Sequence, residues 1–346
     1  MDRKIGNNIY VVRGVGAILI IIYHFSVYYQ ETFGKLHIEF NFAYLTFPIP
    51  MFFLLSAFFL YPKAKEIKSF INLIIYRMQR LYPMYWIAVI FSSLIRTMGN
   101  ENISFVRILC NLTMIEDVFG VEQIDGAYWT MFYELMLLLI LALCCVVKIN
   151  KVKLIERPVY LCYIWLILGT MGCFLMKILQ IDSSSMSVLM LGSRYIPMFV
   201  IGILFYERYI KNNISTKPFV GLLIYCGLFQ IFFNSWIQSI YSYVAVLICW
   251  IIISGKVKNN LLFNNKVLIY LGRISYNIYL THNQFGRICI ASLGVIVIVQ
   301  NNIAYRILLC ILIGIISIFI SIFFSYAEKY IYKKLKKIQF SPIRNG

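Results

Sequence analysis

Three ionisable residues lie inside apolar segments that are long enough to enter a lipid bilayer. Arg13 and His24 belong to the stretch VVRGVGAILIIIYHF, and Glu134 belongs to GAYWTMFYELMLLLI. Ionisable groups at membrane depth are costly, and they usually mark functional sites. An imidazole next to a carboxylate is suited to act as a general base on a hydroxyl group, because the carboxylate raises its basicity and fixes its tautomer.

The spacing of these residues predicts where they lie across the bilayer. Arg13 and His24 are eleven residues apart, so on a helix they share one face and are separated by roughly 16 Å along the axis. If the first apolar segment runs outward from the cytoplasm, His24 lies about 22 Å from the inner surface and Glu134 about 10 Å below the outer surface, which is nearly the same layer. We therefore predict that Glu134 pairs with His24 and that His24 is a base.

Each of these residues also has a structural interpretation. Arg13 could extend its guanidinium to the inner headgroups. His24 could be a packing histidine whose ring is satisfied by its neighbours, and the His24 and Glu134 pair could serve only to hold two helices together.

A second histidine follows in LGRISYNIYLTHNQF. Ser275 and His282 are seven residues apart and share a helical face, and Tyr279 is three residues before His282. This pattern predicts a stripe of polar groups that rises toward the outer side and ends in an imidazole. The third histidine, His37, falls in the first outer loop and receives no role. Tyrosines and Trp129 near the interfaces are typical of aromatic belts.

Two arginines stand together in YRMQRLYPMYW. Arg77 and Arg80 are spaced i, i+3 and precede Pro83, which suits the first turn of a helix. Two guanidinium groups that converge near a membrane surface can bind a phosphate or pyrophosphate through several hydrogen bonds. The alternative is that they only mark the cytoplasmic side of the chain.

The composition places these residues in a membrane protein. The chain of 346 residues is 61% hydrophobic and 13% charged, and its mean hydropathy is +0.79, which excludes a soluble globular domain. Its formal net charge of +18 could suggest nucleic acid, but the basic residues lie in short segments between apolar runs instead of one stripe. We therefore predict no nucleic-acid partner.

Apolar windows of about 20 residues are long enough to cross a bilayer. The sequence contains ten of them: 9–29, 42–61, 81–97, 127–147, 158–179, 194–210, 217–234, 237–254, 266–285 and 304–328. The stretch 288–299 is short and could be an interfacial piece or an eleventh span. These windows predict an all-α, polytopic bundle of about ten transmembrane helices, with a membrane domain over residues 1–338 and a short cytoplasmic tail over 339–346.

The distribution of basic residues predicts the orientation of the bundle. One alternating set of connecting segments holds 23 of the 32 Lys and Arg residues and the other set holds 7, with Arg13 and Arg273 inside spans. Because cytoplasmic loops retain the excess of basic residues, both termini are expected in the cytoplasm. The nine cysteines lie in or beside apolar segments without a CxxC pair or a His/Cys metal spacing, so we interpret them as packing residues and predict no metal site.

Taken in order along the chain, these motifs resemble those of the acyltransferase-3 family of integral membrane acyltransferases. The resemblance covers nearly the whole chain. It rests on Arg13 with His24, Ser56 in PMFFLLSAFFL, Arg77, Arg80 and Pro83 in RMQRLYP, Trp129 and Glu134 in YWTMFYE, Arg194, Pro197 and Gly202 in RYIPMFVIG, and Gly272, Ser275, Tyr276, Tyr279 and His282 in LGRISYNIYLTHNQF. One departure is Ala57, where the family often has glycine; the small residue should still permit close helix approach.

The resemblance implies an O-acyltransferase of a bacterial cytoplasmic membrane. It would move an acyl group, usually acetyl, from a cytoplasmic donor such as acetyl-CoA to a hydroxyl of a cell-surface polysaccharide or a lipid-linked glycan, with no permanently bound cofactor. His24 and Glu134 would be catalytic. The donor would contact Arg13, Arg77, Arg80 and Arg273, and the supporting or acceptor residues would be Ser56, Trp129, Arg194, Ser275, Tyr279 and His282. Membrane lipids, the glycan and proteins of polysaccharide biosynthesis are the expected partners.

Two other functions remain open at this point. A transporter or flippase of a glycan intermediate would also show a polytopic bundle with buried charges and polar stripes, although no inverted repeat is apparent in the sequence. A purely structural membrane subunit would leave the histidines unexplained. The absence of a GxSxG signature leaves open whether the chain completes the transfer alone or passes the acyl group to a partner.

Overall fold

The computed structural model describes residues 3–34, 42–179, 195–257, 261–296, 299 and 302–339. Within them the chain forms twelve α-helices. They are α1 (Arg3–Phe33), α2 (Pro48–Ile67), α3 (Phe70–Met98), α4 (Phe105–Asn111), α5 (Trp129–Cys144), α6 (Pro158–Ile178), α7 (Ile196–Phe205), α8 (Thr216–Phe233), α9 (Trp236–Ile253), α10 (Lys266–Arg273), α11 (Ser275–Gly294) and α12 (Ile303–Gln339).

Short elements connect some of these helices. Single 3₁₀ turns cover Phe42–Thr46, Glu116–Phe119 and Leu154–Glu156, and a π-helical turn, Tyr206–Ile210, follows α7 directly. The strands β1 (Lys148–Ile149) and β2 (Val152–Lys153) form an antiparallel hairpin. The predicted all-α fold is confirmed.

The predicted spans coincide with helices, but not all of these helices are long. Seven helical segments among the described residues are long and apolar enough to cross a membrane. Of the other three windows, 127–147 holds the 16-residue α5, 194–210 holds α7 and its π-helical turn, and 266–285 breaks at Ile274 into α10 and α11. The stretch 288–299 begins as the last turns of α11.

Many large apolar side chains are exposed along the long helices. On α12, for example, the side chains of Phe319 and Phe323 are 66% and 72% exposed. Such side chains would be unfavourable in water, whereas lipid tails solvate them, and a helix satisfies its own backbone polar groups in hydrocarbon. The chain is therefore a multi-pass membrane protein.

The chain divides into two compact units, each assembled from three stretches of sequence. The first unit contains Met1–Ile20, Asn41–Ile74 and Trp129–Arg273. The second unit contains Ile21–Phe40, Ile75–Tyr128 and Ile274–Gly346.

In the first unit, α2 packs most extensively against α7. All ten residues of α7 are buried, and the contact depends on small side chains. A Cβ atom added at Gly202 would lie 2.2 Å from the carbonyl oxygen of Leu54 and 3.0 Å from the Cβ of Ala57. The two helix backbones therefore touch at this point, and the expectation that Ala57 still permits close approach is confirmed.

A buried carboxylate lies at the centre of a hydrogen-bond network in the first unit. Glu207, in the π-helical turn, is fully buried. Its oxygens accept hydrogen bonds from the Tyr61 hydroxyl at 2.9 Å, the Lys65 ammonium at 2.7 Å and the Asn213 amide at 2.9 Å. Because all these donors converge on one charge, the network joins α2 to the turn that follows α7.

In the second unit, α11 packs most extensively against α12. The Thr281 hydroxyl lies 2.8 Å from the Ser321 hydroxyl, and the Asn277 amide donates to Glu328 at 2.8 Å. A Cβ atom at Gly286 would lie 2.1 Å from the ring of Phe25, so glycine allows α1 to approach α11 closely here. This approach positions the second half of α1 for the contacts described below.

We expect Gly202→Ala to destabilise the protein by about 1 to 3 kcal/mol, because the added methyl group would collide with the backbone of α2. Gly227→Ala in α8 is the matched control, since the hydroxyl of Tyr243 on α9, the nearest atom of another described helix, would lie 3.9 Å from its Cβ. Thermal unfolding in detergent measures both. Unfolding of Gly202→Ala at the wild-type temperature would contradict the proposed packing.

Candidate active site

Two histidines meet in the second unit. His24 of α1 and His282 of α11 have ring centroids 5.2 Å apart, with the ring planes inclined by 59°. His24 is partly buried, and His282 is only 1% exposed. The structure thus brings together two imidazoles that stand 258 positions apart in the sequence, and a pair of imidazoles can accept, donate and share protons.

The hydrogen bonds of His282 determine its tautomer. Its Nδ1 lies 2.9 Å from the carbonyl oxygen of Ile278 and 3.0 Å from that of Tyr279. Carbonyl oxygens only accept hydrogen bonds, so Nδ1 must carry the proton, and in the neutral ring Nε2 then holds a lone pair. This Nε2 is buried and has no hydrogen-bond partner among the described residues.

His24 is surrounded by aromatic rings. Tyr23 contacts it edge-on at 5.0 Å between centroids, and Tyr28 stacks on it at 6.1 Å with 19° between the planes. Among the described residues of this unit, neither ring nitrogen of His24 makes a hydrogen bond. Both nitrogens are thus available to His282 or to a substrate.

A chain of hydrogen bonds leads from the histidines to a buried carboxylate. The Tyr28 hydroxyl donates to the side-chain oxygen of Asn283, and the Asn283 amide donates to Asp125 at 2.5 Å. Asp125 also accepts from the backbone N–H groups of Ala127 at 2.8 Å and Gln284 at 3.2 Å. One carboxylate therefore fixes the loop before α5 against the third turn of α11.

Asp125 is completely buried, and the loss of hydration raises the pKa of its carboxyl to about 6. The surrounding loop is held by Arg96, which donates to the carbonyl of Ile124 at 2.8 Å, and by Arg107, which donates to the carbonyl of Gln123 at 2.7 Å. The hydroxyl of Tyr279 donates to the carbonyl of Ala127. These bonds keep the loop rigid next to α11.

Glu134 lies in the first unit, where it accepts a hydrogen bond from the Ser56 hydroxyl. Trp129 belongs to an aromatic cluster in the same unit, with its ring 5.7 Å from Tyr133 and 5.7 Å from Tyr195. The structure thus brings together Ser56 and Glu134. The predicted pairing of Glu134 with His24 concerns residues of different units and stays a prediction.

The predicted donor-binding arginines fall in both units. In the second unit, Arg77 and Arg80 lie near the start of α3, and Arg80 contacts the hydroxyl of Tyr76 at 3.3 Å and the ring of Tyr332 at 5.9 Å. In the first unit, Arg13 lies on α1, and Arg273 ends α10 above the ring of Tyr10 at 5.5 Å. Arg194 lies outside the described residues. Ser275 is buried at the start of α11.

Three residues of the histidine site were not predicted from the sequence: Tyr28, Asp125 and Asn283. Tyr28 is one of 26 tyrosines, and nothing in its spacing distinguished it. Asn283 directly follows His282, and Asp125 stands four residues before Trp129, so proximity to predicted motifs was the available signal. Among the described residues, no group of three or more His, Cys, Asp and Glu side chains could hold a metal ion.

We expect Asp125→Asn to remove part of the pH dependence of stability. The folded state raises the pKa of this carboxyl from 3.8 to about 6, so it binds more protons than the unfolded chain between these values, and stability falls as pH rises through this window. Thermal unfolding between pH 4 and pH 7 measures the slope. Glu122→Gln, which alters an exposed carboxylate of the same loop, is the control. An identical slope in Asp125→Asn and wild type would contradict the assignment.

Comparison with known proteins identifies the family. A family model described as an acyltransferase domain matches residues 7–326, which is nearly the whole chain. No curated protein and no solved structure matched in the comparisons. The extent of the family match, together with the multi-pass helical fold, shows that the chain is a membrane acyltransferase that belongs to the acyltransferase-3 family.

Proposed function

We propose that the protein is an O-acyltransferase of a bacterial cytoplasmic membrane, and that it moves an acetyl group from cytoplasmic acetyl-CoA to a hydroxyl of a cell-surface polysaccharide or a lipid-linked glycan. The observation that carries the proposal is the histidine pair inside a chain of this family. The imidazole of His24 makes no hydrogen bond to the described residues of its unit, and it lies beside the buried His282. Such a group is what a base needs in order to activate a hydroxyl.

In the proposed reaction, a ring nitrogen of His24 takes the proton of the acceptor hydroxyl. The hydroxyl oxygen forms a bond to the carbonyl carbon of the thioester, and the carbon–sulfur bond breaks. The CoA thiolate leaves and takes the proton from the imidazolium, which restores neutral His24. The reaction requires no redox step and no metal ion.

We assign the phosphates of the donor to Arg77 and Arg80. These residues are three positions apart on α3, so their guanidinium groups emerge from one face of the helix. A guanidinium forms paired hydrogen bonds with phosphate oxygens, and the basic segments predict that this end of α3 is cytoplasmic, where CoA is available. Arg13 and Arg273 are proposed to add to the donor site.

The alternative of a glycan transporter predicts a different phenotype. Loss of an acyltransferase removes acetyl groups from a glycan that is still made, whereas loss of a flippase removes the surface glycan itself. Mass spectrometry of surface glycans from cells with and without the gene distinguishes the two. An acetyl-sized mass difference supports the proposal, and disappearance of the whole glycan contradicts it.

We expect His24→Ala to abolish acyl transfer while the protein still inserts in the membrane, because the variant lacks the base but keeps a helix-forming residue. Incorporation of label from radioactive acetyl-CoA into glycan in inverted membrane vesicles measures transfer. Ser26→Ala, on the same helix, is the control and should keep wild-type transfer, since the Ser26 hydroxyl donates to a backbone carbonyl of its own helix, that of Tyr23. Wild-type incorporation by His24→Ala would exclude the assigned base.

We expect Arg77→Ala and Arg80→Ala to weaken acetyl-CoA binding by roughly 10- to 100-fold, because a charge-assisted hydrogen bond to phosphate contributes about 1.5 to 3 kcal/mol. The lysine variants should fall between alanine and wild type, since lysine keeps the charge without the planar fork. Binding to purified protein, measured as a function of salt, should weaken as ionic strength rises. Lys148→Ala changes an exposed basic residue of the hairpin and is the control. Wild-type affinity in both alanine variants would contradict the assignment of the donor phosphates to these arginines.

A further inference from the structure

His282 has one polar atom that its surroundings leave unused. The ring is 1% exposed, its Nδ1 is occupied by the carbonyls of Ile278 and Tyr279, and its Nε2 has no partner among the described residues. An unsatisfied buried acceptor destabilises the folded state, and for this reason most buried polar atoms in folded proteins are paired. We therefore expect another group in the site to donate a hydrogen bond to Nε2.

His24, whose ring lies 5.2 Å from that of His282 between centroids, is a candidate donor. Two imidazoles joined by one N–H···N bond of about 2.9 Å have ring centroids about 5 Å apart. The observed centroid separation is 5.2 Å, although the rings are not oriented for the bond in this structure. The χ2 torsion of histidine is broad, and His24 is only partly buried, so a rotation of its ring about the Cβ–Cγ bond can bring an N–H group to His282.

We propose that His282 is the positioning residue for His24: its Nε2 accepts the N–H of His24 and thereby leaves the lone pair on the other nitrogen of His24 for the reacting hydroxyl. This inference rests on the proposed acyl transfer. The backbone carbonyls of α11 fix the tautomer of His282, and His282 in turn fixes the tautomer of His24. A neutral histidine thus orients the catalytic histidine, a role that a carboxylate has in the His–carboxylate pairs of other enzymes.

The arrangement also stabilises the charge that forms during the reaction. When His24 takes the hydroxyl proton it becomes an imidazolium, and its second N–H then makes a charge-assisted bond to the lone pair of His282. The proton between the two rings stays on His24, and the proton from the acceptor leaves with the thiolate. Among the described residues of this unit, the titratable groups whose rings contact the two imidazoles are Tyr23, Tyr28 and Tyr279. Asp125 is linked to Tyr28 through Asn283.

Three substitutions at His282 separate positioning from packing. Gln keeps an acceptor near the place of Nε2, Asn keeps only a donor near the place of Nδ1, and Phe keeps only a ring. We expect His282→Phe and His282→Asn to lower maximal label transfer from acetyl-CoA in inverted vesicles by about 10²-fold at unchanged half-saturating acetyl-CoA, and His282→Gln to retain most of it. Wild-type turnover in His282→Phe, or an equal loss in all three variants, would overturn the proposal.

Glu134→Gln belongs in the same series. A neutral His24 that acts as a base has one N–H to donate, so His282 and the predicted partner Glu134 compete for the same role. A loss of turnover in Glu134→Gln combined with wild-type turnover in His282→Phe would assign the orientation of His24 to Glu134 and would reject His282.

A spectroscopic measurement tests the pair without reference to activity. The chain has three histidines, so ¹⁵N-histidine labelling gives few ring signals in solid-state NMR of the membrane-embedded protein. We expect one tautomer for His24 with a scalar coupling to the Nε2 of His282, and a mixture of His24 tautomers in His282→Phe. Absence of the coupling, with unchanged tautomers in the variant, would overturn the proposal. If the coupling is present but wild-type vesicles acetylate no glycan, the proposed function fails and the histidine pair stands.

Discussion

The geometry of the histidine site depends on the hydrogen bonds that the buried carboxylate of Asp125 accepts. It accepts hydrogen bonds from a side chain of α11 and from backbone N–H groups of α11 and of the segment that leads into α5. Through Asn283 it also fixes the hydroxyl of Tyr28, whose ring stacks on His24. A buried polar group is costly unless it is hydrogen-bonded, and the bonds that satisfy Asp125 hold the loop, α11 and the second half of α1 together.

In each unit, a buried carboxylate is stabilised by several hydrogen-bond donors. In the first unit Glu207 gathers a tyrosine, a lysine and an asparagine, and in the second unit Asp125 gathers an asparagine and two backbone donors. Each of these carboxylates accepts three hydrogen bonds, which stabilise its buried charge. His24 and the Nε2 of His282 differ because no hydrogen-bond partner for them is found among the described residues of their unit, and for this reason we assign the chemistry to the histidines.

Much of this organisation could be predicted from the sequence. Hydrophobic windows predicted the helical segments, because the thickness of a bilayer sets the length of apolar sequence that a span requires. The family followed from the order and spacing of several motifs, and the extent of the family match confirmed it. What the windows did not predict was the interruption of helices. The break at Ile274 lies between Arg273 and Ser275, and the π-helical turn after α7 contains Glu207 and Arg208, so polar residues mark both interruptions although the predicted windows ran through them.

The site was predicted less completely than the fold. Depth alone suggested that His24 and Glu134 share a layer, but depth does not say which helices are neighbours. The structure places His282 against His24 and Ser56 against Glu134. Asp125 escaped prediction because it lies in a polar loop, where an aspartate is ordinary, and only the fold reveals that this aspartate is buried.

We propose that acyl transfer takes place at His24, and an experimental structure of the protein with a non-hydrolysable acetyl-CoA analogue tests this assignment. We expect the acyl carbonyl carbon beside the ring of His24, with room for an acceptor oxygen about 3 to 3.5 Å from that carbon, and the phosphates in contact with Arg77 and Arg80. An acyl group bound away from both histidines would exclude His24 as the base.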